Sequence, residues 1–197
     1  EMSASLVGSE MCIRDRLYRV SMAKFYIAVM MGLLIFSSAA RAGSGGLNIF
    51  ALPREAPQTE IYAETGQKVK LTDFHGQFLI VVFWSKTCVP CIKELDNLNN
   101  FANKTKGDGF RVLLVSKAQE WRDMDEQRRF LAKYKAPDLE FYIDDKGALT
   151  EAFGIFSSPH TVLINKSGQE IGRIRGSVEW DDDDVIEYMY KLKVQHG

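Results

Sequence analysis

Cysteine is scarce: the 197 residues contain three, at positions 12, 88 and 91, too few to staple a small secreted fold. A charge of one sign is also lacking. Lysine and arginine number 25 against 26 acidic residues, so no overall field recruits a polyanion, and nucleic acid is not an expected partner. Internal repeats are absent. No apolar run near the N-terminus is long, the run at 25–36 having 12 residues, short for a hydrocarbon core of roughly 30 Å. What is present, 46% hydrophobic and 26% charged residues, excludes disordered and collagen-like classes and suits one globular domain.

The N-terminus reads as targeting sequence. Lys24, the apolar run FYIAVMMGLLIF and the small residues SSAARA have the order of a secretory signal peptide over 22–42, with cleavage after Ala42; an uncleaved membrane anchor is the alternative. Residues 1–21 carry no apolar periodicity and read as a non-native upstream segment, so Cys12 receives no role. Removing 42 residues leaves 155, with 20 basic and 23 acidic side chains and a net charge of −3. Only Cys88 and Cys91 then remain, in an exported chain where disulfides form and persist.

After the linker GSGG at 43–46, the domain at 47–197 alternates strand and helix patterns. The segment APQTEIYAETGQKVKLTDFHGQ holds a Thr-Gly turn between two short extended pieces and predicts an N-terminal β-hairpin extension. FLIVVFW (78–84) is a continuous apolar run of strand length, hence a buried central strand. CVPC follows it, and Ile92, Leu95, Leu98 and Phe101 then recur at helical spacing with Pro90 in the first turn. FRVLLVS (110–116) is a second buried strand completing a βαβ unit. A charged helix over 121–135, a strand at EFYID, a short helix at LTEAFGI and a hairpin from TVLIN through KSGQ to EIGRIRG follow. The run Asp181–Asp184 opens a last helix as dipole-matched acids; the ligand spacing and loop glycine of a calcium-binding EF-hand are missing. The fold class is α/β, a mixed sheet flanked by helices.

A CxxC pair at a strand-to-helix junction carries specific chemistry. Unpaired N–H groups and a positive partial charge at the helix start favour a thiolate, so Cys88 is the candidate nucleophile and Cys91 the sulfur that resolves a mixed disulfide. Two metal-ligating thiolates and an inert structural pair are the other readings of the same spacing. A staple closing so short a loop constrains little of the unfolded chain, which favours the redox reading.

GQFLIVVFWSKTCVPCIKEL, followed about 70 residues later by SSPHTVLINKSGQEIGRIRG, resembles exported thioredoxin-fold thiol–disulfide oxidoreductases of the TlpA/ResA/CcmG (redoxin) kind. The resemblance implies a thioredoxin-like sheet over roughly 47–195 and a redox-active Cys88–Cys91 disulfide, with no further cofactor and no metal. It also implies a cis Ser158–Pro159 bond facing that disulfide, with the Ser158 backbone open to an extended substrate. Glu94 matches the acid of CxxCxxE, which in the ResA-like branch tunes the thiols and passes protons; a solvated helix carboxylate beside Lys93 is the alternative. Trp84 either shields the disulfide at the substrate-facing surface or belongs to the core. The implied partners are an exported protein substrate with a disulfide and a membrane thiol reductant of the DsbD/CcdA type, in a periplasmic or other extracytoplasmic bacterial setting. Cytochrome c maturation is an implied role.

Departures separate the chain from ordinary thioredoxin: Val82 stands in place of a buried acid, Thr87 in place of a second tryptophan, and Leu95 and Asp96 leave no helix-kinking proline. Two other functions share the motif. A copper-binding chaperone would need further ligands beyond the two thiolates, and a peroxiredoxin-like peroxidase needs a proline where Val81 stands. His160 is a candidate for substrate contact, although a lone histidine after a loop proline is more often exposed or satisfied.

Overall fold

Eight strands and four α-helices alternate along residues 46–197, the part of the chain that the computed structural model describes. The upstream segment 1–21, Cys12, the signal segment 22–42 with its cleavage point, and residues 43–45 lie outside the described residues. In chain order the elements are β1 (Leu47–Glu55), β2 (Ile61–Ala63), β3 (Lys68–Val69), β4 (Phe78–Phe83) and α1 (Val89–Lys104). Then come β5 (Phe110–Lys117), α2 (Met124–Lys133), β6 (Phe141–Asp144), α3 (Ala148–Ala152), β7 (His160–Ile164), β8 (Gln169–Arg175) and α4 (Asp183–His196). They form a mixed sheet in the order β1-β8-β7-β4-β5-β6-β2-β3.

β4 is buried at every residue because both of its faces are covered. Phe78, Ile80, Val82 and Trp84 join one core with Leu95, Leu98 and Phe101 of α1, Leu131 of α2 and Met189 and Leu192 of α4. Leu79, Val81 and Phe83 join the opposite core with Leu149 of α3 and Phe153. The period of two along the strand thus separates three helices from one. β4 runs parallel to β5 and antiparallel to β7, so the helix that follows the CVPC motif crosses the sheet between two parallel strands.

The expected hairpin is present. β2 and β3 pair with Tyr62 opposite Lys68, and β2 also joins β6, so the extension is an edge of the main sheet. A strand that the sequence reading did not foresee precedes it. β1 pairs antiparallel with β8, with a register shift between Ile49 and Arg54; it is mostly exposed, and its residues therefore lack the alternation that marks a half-buried strand. Gly172 permits the approach: a Cβ there would stand 2.6 Å from Ile49 Cδ1 and 2.8 Å from the Asn48 carbonyl.

At the end of the sheet, Asp182 caps α4 by accepting from the Asp184 N–H, as the acidic run predicted. Among the described residues no helix is long and apolar enough to cross a membrane.

Candidate active site

The end of β4 and the start of α1 place the two sulfurs. Cys88 is the N-cap of α1, with Pro90 in the first turn, and its Sγ accepts from the Cys91 N–H at 3.3 Å. The sulfur therefore occupies the position a capping oxygen takes, at the positive end of the helix. Cys88 and Cys91 are joined in a disulfide with Cα atoms 5.2 Å apart. Cys91 is 1% exposed, whereas Cys88 is half-buried and Val89 and Pro90 are exposed. An incoming group reaches Cys88 first.

β7 begins at His160, paired with Phe83, so Pro159 and Trp84 end neighbouring strands side by side. The Ser158–Pro159 bond is cis. Pro159 is buried and Ser158 exposed, and the Pro159 carbonyl accepts from the Gly176 N–H at 3.0 Å. A groove of about 430 Å³ runs between Ser85 on the cysteine side and Ser158 on the proline side, with Glu120 on its wall and Phe156 at its rim. Phe156 is 98% exposed, an apolar side chain left open at the edge of this groove.

Glu94 lies on the buried face of α1 with Cys91, Leu95, Leu98 and Phe101 and is 4% exposed, so it is not a solvated surface carboxylate. Its Oε2 accepts from the Val178 N–H at 3.0 Å. Burial pushes its carboxyl up to about 7. The Val178 N–H opposes that rise, as does the Trp180 indole, which is near but outside hydrogen-bond geometry, while the Glu179 carboxylate adds to it.

Trp84 is buried among the same core residues as Cys91, with its ring 5.6 Å from that of Trp121 and 5.9 Å from that of Phe130. His160 is buried, not exposed, and its Nε2 has no hydrogen-bond partner. Burial first, then Arg173 and Arg175, holds its pKa below the ordinary histidine value.

Sequence reasoning missed the groups that support this site from a distance. Glu120 Oε2 accepts from the Lys86 N–H at 2.8 Å, in the loop just before Cys88. Lys86 Nζ pairs with Glu126 at 3.2 Å and stands 4.9 Å above the Trp121 ring. Trp121 in turn donates to Ser116 Oγ at 2.8 Å. No spacing rule links residues more than 30 positions apart, so only the charge of Lys86 and the two carboxylates hinted at the arrangement. Among the described residues no cluster of three or more His, Cys, Asp or Glu side chains is arranged to hold a metal ion.

Known proteins share the family and the fold of this chain. The Redoxin family profile matches residues 53–190. The thiol-disulfide oxidoreductase ResA of Bacillus thuringiensis subsp. konkukian is 30% identical over 145 residues, covering 71% of this chain and 77% of the relative. The ResA of Halalkalibacterium halodurans is 26% identical over 175 residues, covering 85% and 89%. In fold, the chain is similar to a thiol:disulfide interchange protein of the thioredoxin family from Chlorobium tepidum. The TM-score is 0.57 at 20% identity, over 71% of this chain and 97% of that one.

Proposed function

The chain belongs to the Redoxin family, and from that premise we propose that it is an exported bacterial thiol–disulfide oxidoreductase that reduces disulfides in extracytoplasmic proteins. The observation that carries this reading is the Cys88–Cys91 disulfide set at the N-cap of α1, with one sulfur accessible and the other buried.

In the reduced protein the helix terminus favours the Cys88 thiolate, which attacks one sulfur of a substrate disulfide. A mixed disulfide forms and the first substrate sulfur leaves, taking up a proton. Cys91, as thiolate, then attacks Cys88, releasing the second substrate sulfur. Two electrons and two protons pass to the substrate, and the Cys88–Cys91 disulfide is restored. Glu94, its carboxyl raised by burial to about 7 and so present in both protonation states near neutral pH, is suited to give a proton to a departing sulfur and to take the one that Cys91 loses. Ser158, exposed ahead of Pro159, offers its backbone to an extended substrate segment, and Trp84 backs the disulfide from the core.

A membrane thiol donor of the DsbD/CcdA type would return electrons to the pair, and apocytochrome substrates in cytochrome c maturation fit the family resemblance. The copper-chaperone and peroxidase readings have no comparable support: two cysteines without a third ligand suit exchange better than metal retention, and Val81 keeps its departure from the peroxidase motif.

Cys91→Ala retains the nucleophile and removes the resolving thiol, so exposure to extracytoplasmic extract should leave a partner held on Cys88 through a bond that dithiothreitol breaks. A folded variant that traps nothing would overturn the reading. The reduction potential of the pair sets the direction: a value near that of thioredoxin, about −270 mV, supports a reductase, and one near that of DsbA, about −120 mV, an oxidase.

A further inference from the structure

Behind the sheet, on the face away from the cysteine helix, lies an ion pair that the exchange chemistry does not use, its carboxylate buried and its guanidinium half-buried. Glu170 is buried and takes Arg173 in a two-point contact: Arg173 Nε donates to Glu170 Oε1, and Nη2 to Oε2 at 3.3 Å. The remaining arm of the guanidinium, Nη1, donates to the Phe153 carbonyl at 2.8 Å. Phe153 closes α3 and is the residue from which the chain leaves toward Ser158 and Pro159. At the other end of that segment the Gly176 N–H donates to the Pro159 carbonyl. β8 and the residue that follows it therefore hold the loop at both ends, by the Arg173 side chain at Phe153 and by the Gly176 backbone at Pro159.

Burying a carboxylate and partly burying its guanidinium partner is costly, and an apolar pair of similar volume is often as stable or more so. Stability is thus a poor reason for this pair. Its geometry gives a better one: Glu170 occupies two donors of a rigid planar group and so aims the third at a single backbone oxygen. The Phe153 ring packs edge-on to Phe83 at 5.8 Å, which ties the same point to the strand that leads into the cysteines.

We propose that Glu170 and Arg173 are positioning residues that hold the 154–158 loop in register with the cysteine pair, so that Ser158 and the open Phe156 side chain meet a protein substrate. The proposal rests on the disulfide-exchange reading of the site. It assigns the pair to recognition of the polypeptide around the target disulfide, leaving the chemistry of the sulfurs untouched.

The test pairs two substrates with the double variant Glu170→Leu/Arg173→Met, which removes both charges together and leaves no buried ion unpaired. For insulin, a polypeptide substrate, KM should rise about tenfold, the scale of one lost charge-assisted contact. The rate with a small aromatic disulfide and the alkylation pKa of Cys88 should stay unchanged. Amide exchange should quicken at 154–158 and remain slow in α1. Arg173→Lys, which keeps a donor, should recover part of the insulin KM, and it serves alone if the double variant does not fold. Equal slowing with both substrates, or unchanged KM together with unchanged exchange, would overturn the assignment. A wild-type protein inert toward both disulfides would instead sink the exchange reading, while the amide exchange would still report on the grip.

Discussion

Glu94, in the second turn of the helix that starts at the disulfide, receives its hydrogen bond from the Val178 backbone, 84 residues further along the chain and 3.0 Å away. The connection from β8 to α4 thereby closes over the helix that carries the sulfurs. A buried carboxylate in this position titrates in the pH range where thiols begin to ionise, so charge at Glu94 and charge at the cysteine pair are in opposition.

Raising the Glu94 carboxyl from its ordinary value of 4.5 to about 7 means that the folded state binds the proton more tightly than the unfolded one. Stability is then undiminished below the unfolded pKa, falls as pH rises through that window, and stays lower above it. Glu94→Gln mimics the protonated form and keeps an acceptor for Val178. It should be more stable than wild type above pH 7 by up to about 3 kcal/mol, with the difference vanishing near pH 4. Urea unfolding at the two pH values measures this. The same variant should lower the thiol pKa and flatten the acidic limb of the pH–rate profile; superimposable profiles would remove Glu94 from the mechanism.

Alkylation of the reduced protein should label Cys88 well before Cys91. Cys91 is almost fully enclosed while Cys88 is half-buried beside the exposed Val89 and Pro90, and the helix terminus favours the Cys88 thiolate. Peptide mapping after brief iodoacetamide treatment decides it. Faster labelling at Cys91 would reverse the assigned roles.

The loop before the disulfide should depend on an acceptor at position 120. Glu120→Ala leaves the Lys86 N–H without its partner and should slow disulfide exchange roughly tenfold, whereas Glu120→Gln, which still presents an oxygen, should stay within about twofold of wild type. Stopped-flow rates on a small disulfide distinguish the two. Identical rates in both variants would show that the contact does not order the loop.

Asp144 should prove a stability residue. It is fully buried and accepts from the Leu149 N–H at 2.9 Å, the Thr150 N–H at 2.8 Å and Thr150 Oγ1 at 2.6 Å, holding the start of α3. Asp144→Ala strands three donors and should cost about 2–4 kcal/mol, read as a lower urea midpoint at unchanged slope. A loss below about 0.5 kcal/mol, the range of ordinary surface changes, would contradict this accounting.

Local pattern carried most of the architecture. Continuous apolar runs marked β4 and β5 because strands covered on both faces have no polar side, the 3.6-residue stripe marked α1, and the turn around Gly66 marked the hairpin of β2 and β3, where the Gly66 N–H donates to the Ala63 carbonyl. The spacing of Cys88 and Cys91, directly after a strand, was enough to place both at a helix start. All of these signals lie within one element and its flanks.

The rest depended on approach between distant segments. β1 is a strand only because β8 offers it an edge and Gly172 offers it space; its exposed residues have no periodicity of their own. Whether Glu94 was solvated or buried was not set by its helical position, since its carboxyl meets the Val178 N–H, 84 residues further along the chain. His160 followed a loop proline, a place that argued for an exposed or satisfied side chain, yet between β4 and β8 it is buried with its Nε2 unpaired. Sequence alone determined the elements from β2 onward and the placing of Cys88 and Cys91 at a helix start, because propensity, periodicity and a two-residue spacing are properties of neighbours along the chain. Tertiary structure decided the burial of Glu94, the support of the Lys86 loop and the contact of Arg173 with Phe153, because desolvation and buried hydrogen bonds exist only once remote segments have excluded water between them.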